Sequence, residues 1–135
     1  MHINDDQQIF IEEVAVTEIA ATYGTPVYVY SENRIRENYQ RALKAFQAHY
    51  DDFSFHYAIK ANSNPAIARI LVREGAGIDA ASVVEIQMAK ELGVSGEDVV
   101  FSGNFLSDDD IRQGLDSGVI FNLDDISLLP RLLAI

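Results

Sequence analysis

From residue 54 onward the apolar positions alternate between two rhythms, short continuous runs and a spacing of three to four residues. Strand-like runs begin near Phe55, Gly77, Val99 and Val119, so the steps between them are 22, 22 and 20 residues. A helical pattern follows each run and carries its own start signal: Asn64-Pro65, Ser82-x-x-Glu85, Ser107-x-x-Asp110, and Asp124 or Asp125. Ser82-x-x-Glu85 is a capping box and Ser107-x-x-Asp110 resembles one, since each pairs a hydroxyl with a carboxylate three residues on. The first three helices are expected to stop at Gly75, Gly93 and Gly118, where a left-handed residue closes the last turn. One strand plus one helix, repeated with short loops, specifies a parallel sheet with right-handed helical crossovers.

Ahead of this repeat, residues 1–24 are mixed and polar, and Ile11, Val14, Val16, Ile19 and Ala20 predict a short helix near 15–23. Thr25-Pro26-Val27-Tyr28-Val29-Tyr30 reads as a strand, β-branched and aromatic with proline at its mouth. Ser31 can cap a helix over 32–49, in which Ile35, Tyr39, Leu43 and Phe46 form one apolar face. Four βα units are half of an eight-unit barrel or most of an open doubly wound sheet. A full (β/α)8 barrel takes roughly 250 residues, and this chain has 135. Its last residues, Leu128 to Ile135, form an apolar helical run with no stop signal and with Pro130 able to sit in the first turn. The expectation is therefore the N-terminal part of something longer, the alternative being a complete small α/β domain.

Composition narrows the function classes. The net charge of −11 argues against a general nucleic-acid binder, because phosphates need Lys and Arg to neutralise them. There is no cysteine, so a disulfide framework, a zinc–thiolate site and a cysteine nucleophile are excluded within these residues. Met1 to Asp6 has neither a basic nor an apolar signal region, and no apolar run approaches the roughly 18 residues of a membrane span. The expectation is a soluble, cytoplasmic protein with no nucleic-acid or membrane partner.

The candidate chemistry sits at the ends of the strands, the face where α/β proteins bind ligands. Lys60 ends the run Phe55-His56-Tyr57-Ala58-Ile59-Lys60 just before a helix start. Strand alternation would put His56, Ala58 and Lys60 on one face and Phe55, Tyr57 and Ile59 on the other. In a barrel the apolar set meets the helices and the lysine set faces inward. A lysine there either reaches water or serves as a Schiff-base amine, whose free form attacks an aldehyde. Asp79 ends the next run and either holds Lys60 or acts as a turn or cap residue. Glu85 could reach the same edge, but the capping box already explains it. His56 fits a barrel core better than catalysis. Ser102-Gly103-Asn104 ends the third run, where a ligand contact and an ordinary βα turn are equally good readings. Asp108, Asp109, Asp110, Asp124 and Asp125 complement helix dipoles. Gly75-Ala76-Gly77 is no dinucleotide loop, because it ends a helix and opens a strand. His2, His49 and His56 are scattered, and no metal site is expected.

Tyr57-Ala58-Ile59-Lys60-Ala61-Asn62-Ser63-Asn64 resembles the cofactor-lysine motif of the fold-type III, pyridoxal-phosphate-dependent amino-acid decarboxylases. Thr25–Tyr30, Gly75-Ala76-Gly77-Ile78-Asp79 through Ser82-Val83-Val84-Glu85-Ile86, and Phe101-Ser102-Gly103-Asn104 follow in that family's order and spacing, and the likeness runs from about 15 to 135. The combination is most similar to the diaminopimelate decarboxylases. The resemblance implies a (β/α)8 barrel with a C-terminal β-sandwich domain, and a homodimer with sites at its interface. It divides the chain into an N-terminal segment, 1–31, whose strand 25–30 joins the sandwich, and the first half of the cofactor barrel, 32–135. It implies that Lys60 carries pyridoxal 5'-phosphate as a Schiff base, that Ala58 lines the cofactor pocket and that Asp79 pairs with the lysine. The implied reaction is decarboxylation of meso-diaminopimelate to L-lysine. Ornithine or arginine is the nearest alternative substrate, and a non-catalytic barrel fragment is the alternative of another class. The family's phosphate loop, pyridinium-facing glutamate, substrate arginines and interface cysteine fall beyond residue 135, so these residues alone are expected to be inactive. The sequence departs from the diaminopimelate decarboxylases at Val83-Val84, where Gly-Gly is frequent, and at Phe105-Leu106-Ser107, where a lysine is common.

Overall fold

The computed structural model describes residues 1–135. It opens on three short antiparallel strands, β1 (His2–Ile3), β2 (Ile9–Ile11) and β3 (Val14–Ala15), paired in the order β1-β2-β3. The sequence pattern does not reveal this meander. Strands of two or three residues are too short to show alternation, and their turns place Gln7 and Glu12 at φ +61° and +53° without a glycine signal. The helix expected near 15–23 forms as α1 (Val16–Tyr23). The strand expected over Thr25–Tyr30 does not form. That segment is irregular, pairs with no strand and leaves Tyr28 91% exposed. Its composition favours a pleated surface, but a strand also needs a neighbour's backbone groups.

Ser31 caps α2 (Glu32–Gln47) by accepting from the Arg34 amide at 3.0 Å. The Glu12 carboxylate accepts from the Ser31 hydroxyl, from the Asn33 amide at 3.1 Å and from Asn33 Nδ2 at 2.9 Å. These bonds tie the meander to the start of α2 and hold the Glu12 carboxyl below its ordinary range, the Ser31 bond contributing most.

The expected βα repeat follows as β4 (His56–Ala58), α3 (Pro65–Arg73), β5 (Gly77–Ala80), α4 (Val83–Glu91), β6 (Val99–Phe101), α5 (Asp108–Asp116), β7 (Ile120–Phe121) and α6 (Leu128–Ala134). The sheet is parallel throughout, in the order β4-β5-β6-β7. Its punctuation matches the sequence. Asn64 accepts from the Ala66 amide at 2.9 Å ahead of Pro65. Ser107 and Asp110 form a complete capping box. Gly75, Gly93 and Gly118 stand at φ +99°, +85° and +67°. The last helix begins at Leu128 rather than at Asp124, because Asp125 instead accepts the Ser127 amide at 2.7 Å in a preceding turn. No helix is long and apolar enough to cross a membrane.

One face of the sheet makes the core. Ile78, Ala80, Val99 and Phe101 point to it, with Ile86 and Ala89 of α4 and Ile111 of α5 packed over them. Close approach at β5 depends on Gly77. A Cβ there would stand 2.6 Å from the Asp98 carbonyl oxygen and 2.6 Å from His56 Cδ2. On the flank, Glu74 accepts from Arg36 and, at 2.7 Å, from Gln40, which fastens α2 to the end of α3. The Gln40 bond and then the Arg36 bond hold the Glu74 carboxyl below its ordinary range.

Two outcomes follow from these contacts. Gly77→Ala overpacks a buried strand and should lower the unfolding free energy by about 1–3 kcal/mol, measured by urea denaturation. A carboxyl with a depressed folded pKa stabilises above its unfolded value and loses that contribution as pH falls through the folded one. Glu74→Gln should therefore flatten the loss of stability below about pH 4.3, read from denaturant midpoints across the acid range.

Candidate functional site

Parallel register places Ala58 beside Asp79, Asp79 beside Val100 and Val100 beside Ile120. Neighbours at one level of a sheet share a face, so these four residues line the side opposite the core. Ile120 is 46% exposed, and Ala58, Asp79 and Val100 are half-buried. The alternation expected for β4 is observed as far as Ala58, with Tyr57 packed against the core cluster and Ala58 on the open side.

Lys60 is not a strand residue. β4 stops at Ala58, and Ile59–Ala61 form a single 3-10 turn. Ile59 is fully buried and anchors the turn, which leaves Lys60 exposed on its far side. Ile59 is buried as expected of the apolar set, but the strand that would carry Lys60 on the face of His56 and Ala58 ends at Ala58. The turn is fastened at its end. Tyr57 Oη donates to the Asn62 carbonyl at 3.0 Å and the Asn62 amide donates to the Ile59 carbonyl at 3.1 Å. Asn62 Oδ1 then accepts the Asn64 amide at 3.0 Å, joining the turn to the cap of α3. Burial, with a smaller effect from Tyr30, pushes the Tyr57 hydroxyl above its ordinary pKa. Lys60 itself takes part in no ion pair.

Asp79 lies next to Ala58 in register, but its hydrogen-bond partner is Ser102, whose hydroxyl donates to Asp79 Oδ1. Lys60 and Asp79 therefore share an edge without forming a salt bridge. Ser102 had no individual role in the sequence reading. Its position just past β6, on the ligand side of a βα unit, was the available signal. Glu85 serves α4: its amide donates to the Ser82 hydroxyl oxygen at 3.3 Å, and its carboxylate accepts from the Ala81 amide at 2.6 Å. The capping function is present, with the Ala81 rather than the Ser82 amide donating the return bond. His56 is half-buried, with its ring in the space left by Gly77, as a packing residue. Asp110 completes the cap of α5, and Asp108 pairs with Arg131 at 2.6 Å.

The larger hollows lie elsewhere. One of about 500 Å3 is lined by Ile11, Ile19, Tyr23 and Val27–Tyr30, and another of about 800 Å3 lies between the meander and α2. The first is mostly apolar and the second lacks a lysine, so neither offers the amine chemistry present at the strand ends.

Residues 32–135 match the family described as pyridoxal-dependent decarboxylase, pyridoxal binding domain. The diaminopimelate decarboxylase of Methanothermobacter thermautotrophicus is 45% identical over 132 residues, a match that covers 98% of this chain and 31% of that protein. Among solved structures, the diaminopimelate decarboxylase of M. jannaschii in complex with L-lysine superposes with a TM-score of 0.84 at 36% identity, covering 97% of this chain and 31% of that one. The lysine/ornithine decarboxylase of Vibrio vulnificus complexed with putrescine gives 0.77 at 25% identity, covering 98% and 34%. The chain thus spans about a third of the length of the proteins it matches.

The Tyr57–Asn62 bond makes a direct prediction about the turn. Tyr57→Phe removes one half-buried hydrogen bond, worth about 0.5–1.5 kcal/mol. Amide exchange at Asn62 should quicken by roughly that factor while protection in β5 and β6 stays unchanged, as read by hydrogen-exchange NMR.

Proposed function

Because the chain belongs to the pyridoxal-dependent decarboxylase family, matching its pyridoxal binding domain, we propose that Lys60 is the residue that holds pyridoxal phosphate. The observation that carries this reading is an exposed lysine amine, in no ion pair, at the C-terminal edge of a parallel sheet beside Ala58 and Asp79. The residues at this edge fit the group. The Lys60 amine is accessible to an aldehyde, the small side chain of Ala58 leaves the open face clear for a ring, and Asp79 supplies a half-buried carboxylate for nearby positive charge. The first turn of α5, with Asp108, Asp109 and Asp110, suits no phosphate. Holding the phosphate falls to other residues of the whole protein. When bound, the cofactor supplies an aldehyde for the lysine and a pyridinium ring that takes up the electron pair freed by loss of carbon dioxide.

Each residue of this chain then has a limited task. Ile59 and the Tyr57–Asn62 bond fix the turn, so Lys60 is presented at one place. Ala58 sets the floor beside it. Asp79 faces the same opening and orients the positive charge on the lysine nitrogen. The four βα units form the first half of a (β/α)8 barrel in this reading, with 32–135 as barrel and 1–31 as a segment that joins a second domain. A homodimer in the cytoplasm is the accompanying proposal.

For the whole protein the proposed reaction is decarboxylation of meso-diaminopimelate to L-lysine. Support comes from the 45% identity to a diaminopimelate decarboxylase and from the closer superposition on a lysine-bound one, 0.84, than on a lysine/ornithine decarboxylase, 0.77. In the whole protein, Lys60→Ala should abolish the visible absorbance of lysine-held cofactor and production of lysine from diaminopimelate. A band that persists in the variant would sink the lysine assignment, and release of putrescine from ornithine at a higher kcat/KM would overturn the substrate.

A further inference from the structure

We propose that Ser102 is a positioning residue that sets the orientation of Asp79 toward Lys60, an inference that rests on the assignment of Lys60 as the cofactor lysine. The two side chains come from adjacent strands, Asp79 from β5 and Ser102 from just past β6, and both are half-buried on the open side of the sheet. The Ser102 hydroxyl donates to Asp79 Oδ1. A carboxylate beside an open face can swing about its terminal torsion, which is broad. A single fixed donor on Oδ1 removes that freedom and leaves Oδ2 with no protein hydrogen bond, on the face that Asp79 shares with Ala58.

Ser102 is itself braced, which separates it from an ordinary surface hydroxyl. Its amide donates to the Ala80 carbonyl at 2.9 Å, continuing the ladder one residue beyond β6. The next residue, Gly103, lies so close to the end of β5 that a Cβ would stand 2.7 Å from the Ala81 carbonyl oxygen and 2.6 Å from Leu106 Cδ2. On the other side of Ala81, its amide is held by the Glu85 carboxylate at 2.6 Å. Backbone on both sides of the Ser102–Asp79 bond is therefore pinned, and the hydroxyl has one place to point. Asp79 takes its bond from Ser102 while Lys60 stays unpaired. The arrangement keeps the carboxylate from swinging, so that it favours positive charge at one point of the opening rather than averaging over several.

The chain carries three lysines, Lys44, Lys60 and Lys90, and two of them serve as internal references. The whole protein is treated with pyridoxal phosphate at limiting concentration, trapped with borohydride and digested, and the label at these three lysines is counted by mass spectrometry. Ser102→Ala should lower the ratio of Lys60 label to Lys44 and Lys90 label roughly fivefold, the effect of one hydrogen bond. Ser102→Thr, which keeps the hydroxyl, should restore it to within about twofold. Asp79→Asn should lower the ratio as well, and adding Ser102→Ala to it should lower it no further, because the serine acts through the aspartate. The thermal midpoint without cofactor is measured on every variant. An unchanged ratio in Ser102→Ala, a loss that Thr does not restore, or a loss that merely follows the thermal midpoint would each overturn the inference. Wild-type Lys60 labelled no more than Lys44 and Lys90 would overturn the cofactor assignment and this inference with it, whereas selective labelling unaffected by Ser102→Ala would overturn this inference alone.

Discussion

The parallel register of the four-stranded sheet is the constraint on which the rest depends. Ala58, Asp79, Val100 and Ile120 stand at one level because the strands are hydrogen-bonded in that register. A slip of one residue would exchange the two faces. Ile78 and Ala80 would leave the core and Asp79 would enter it, an unpaired carboxylate under α4 and α5. Burial of Ile78, Ala80, Val99 and Phe101 thus fixes the chemistry on the opposite face without touching it. The same packing ends β4. Ile59 turns into the core, the chain tightens into a 3-10 turn, and Lys60 is brought out at the edge.

The sequence made the sheet and its helices legible because each unit states its start and stop locally. Asn64-Pro65, Ser107-x-x-Asp110 and the glycines at 75, 93 and 118 each satisfy a backbone requirement that can be named from the residues alone. The N-terminal segment was less legible for the converse reason. The meander of β1, β2 and β3 is set by pairing between pieces two or three residues long. Thr25–Tyr30 has strand composition and no strand, since composition cannot supply a partner. Propensity names what a segment suits, and pairing decides what it forms.

Of the candidate site, position was legible and contact was not. Lys60, Asp79 and Ser102 all fall where strands meet helices, which the period of the repeat marks. Alternation groups Lys60 with Ala58 and sends Ile59 inward, where it is buried, but it does not mark that the strand ends at Ala58 and tightens into a 3-10 turn. The partner of Asp79 was hidden for a related reason. Ser102 is 23 residues away, and only the stagger of β5 against β6 brings its hydroxyl within reach. Glu85 was the easier case, because a capping interaction spans one turn of helix and is written in adjacent residues.

The departure at Phe105-Leu106-Ser107 can be understood from the same packing. Leu106 is 7% exposed and belongs to the core cluster, and its carbonyl accepts from Arg131 Nη2 at 2.9 Å. Ser107 is committed to capping α5. With an inward side chain on one side and Gly103 pressed against β5 on the other, the intervening chain must bulge. Phe105 takes up the bulge at φ +56°, fully exposed, in a conformation that costs an L-residue about 1–2 kcal/mol. An apolar anchor and an arginine from α6 therefore hold the loop where relatives by resemblance place a lysine. The difference is absorbed in the loop past Gly103, and the braced end of β6 that carries Ser102 to Asp79 lies before it.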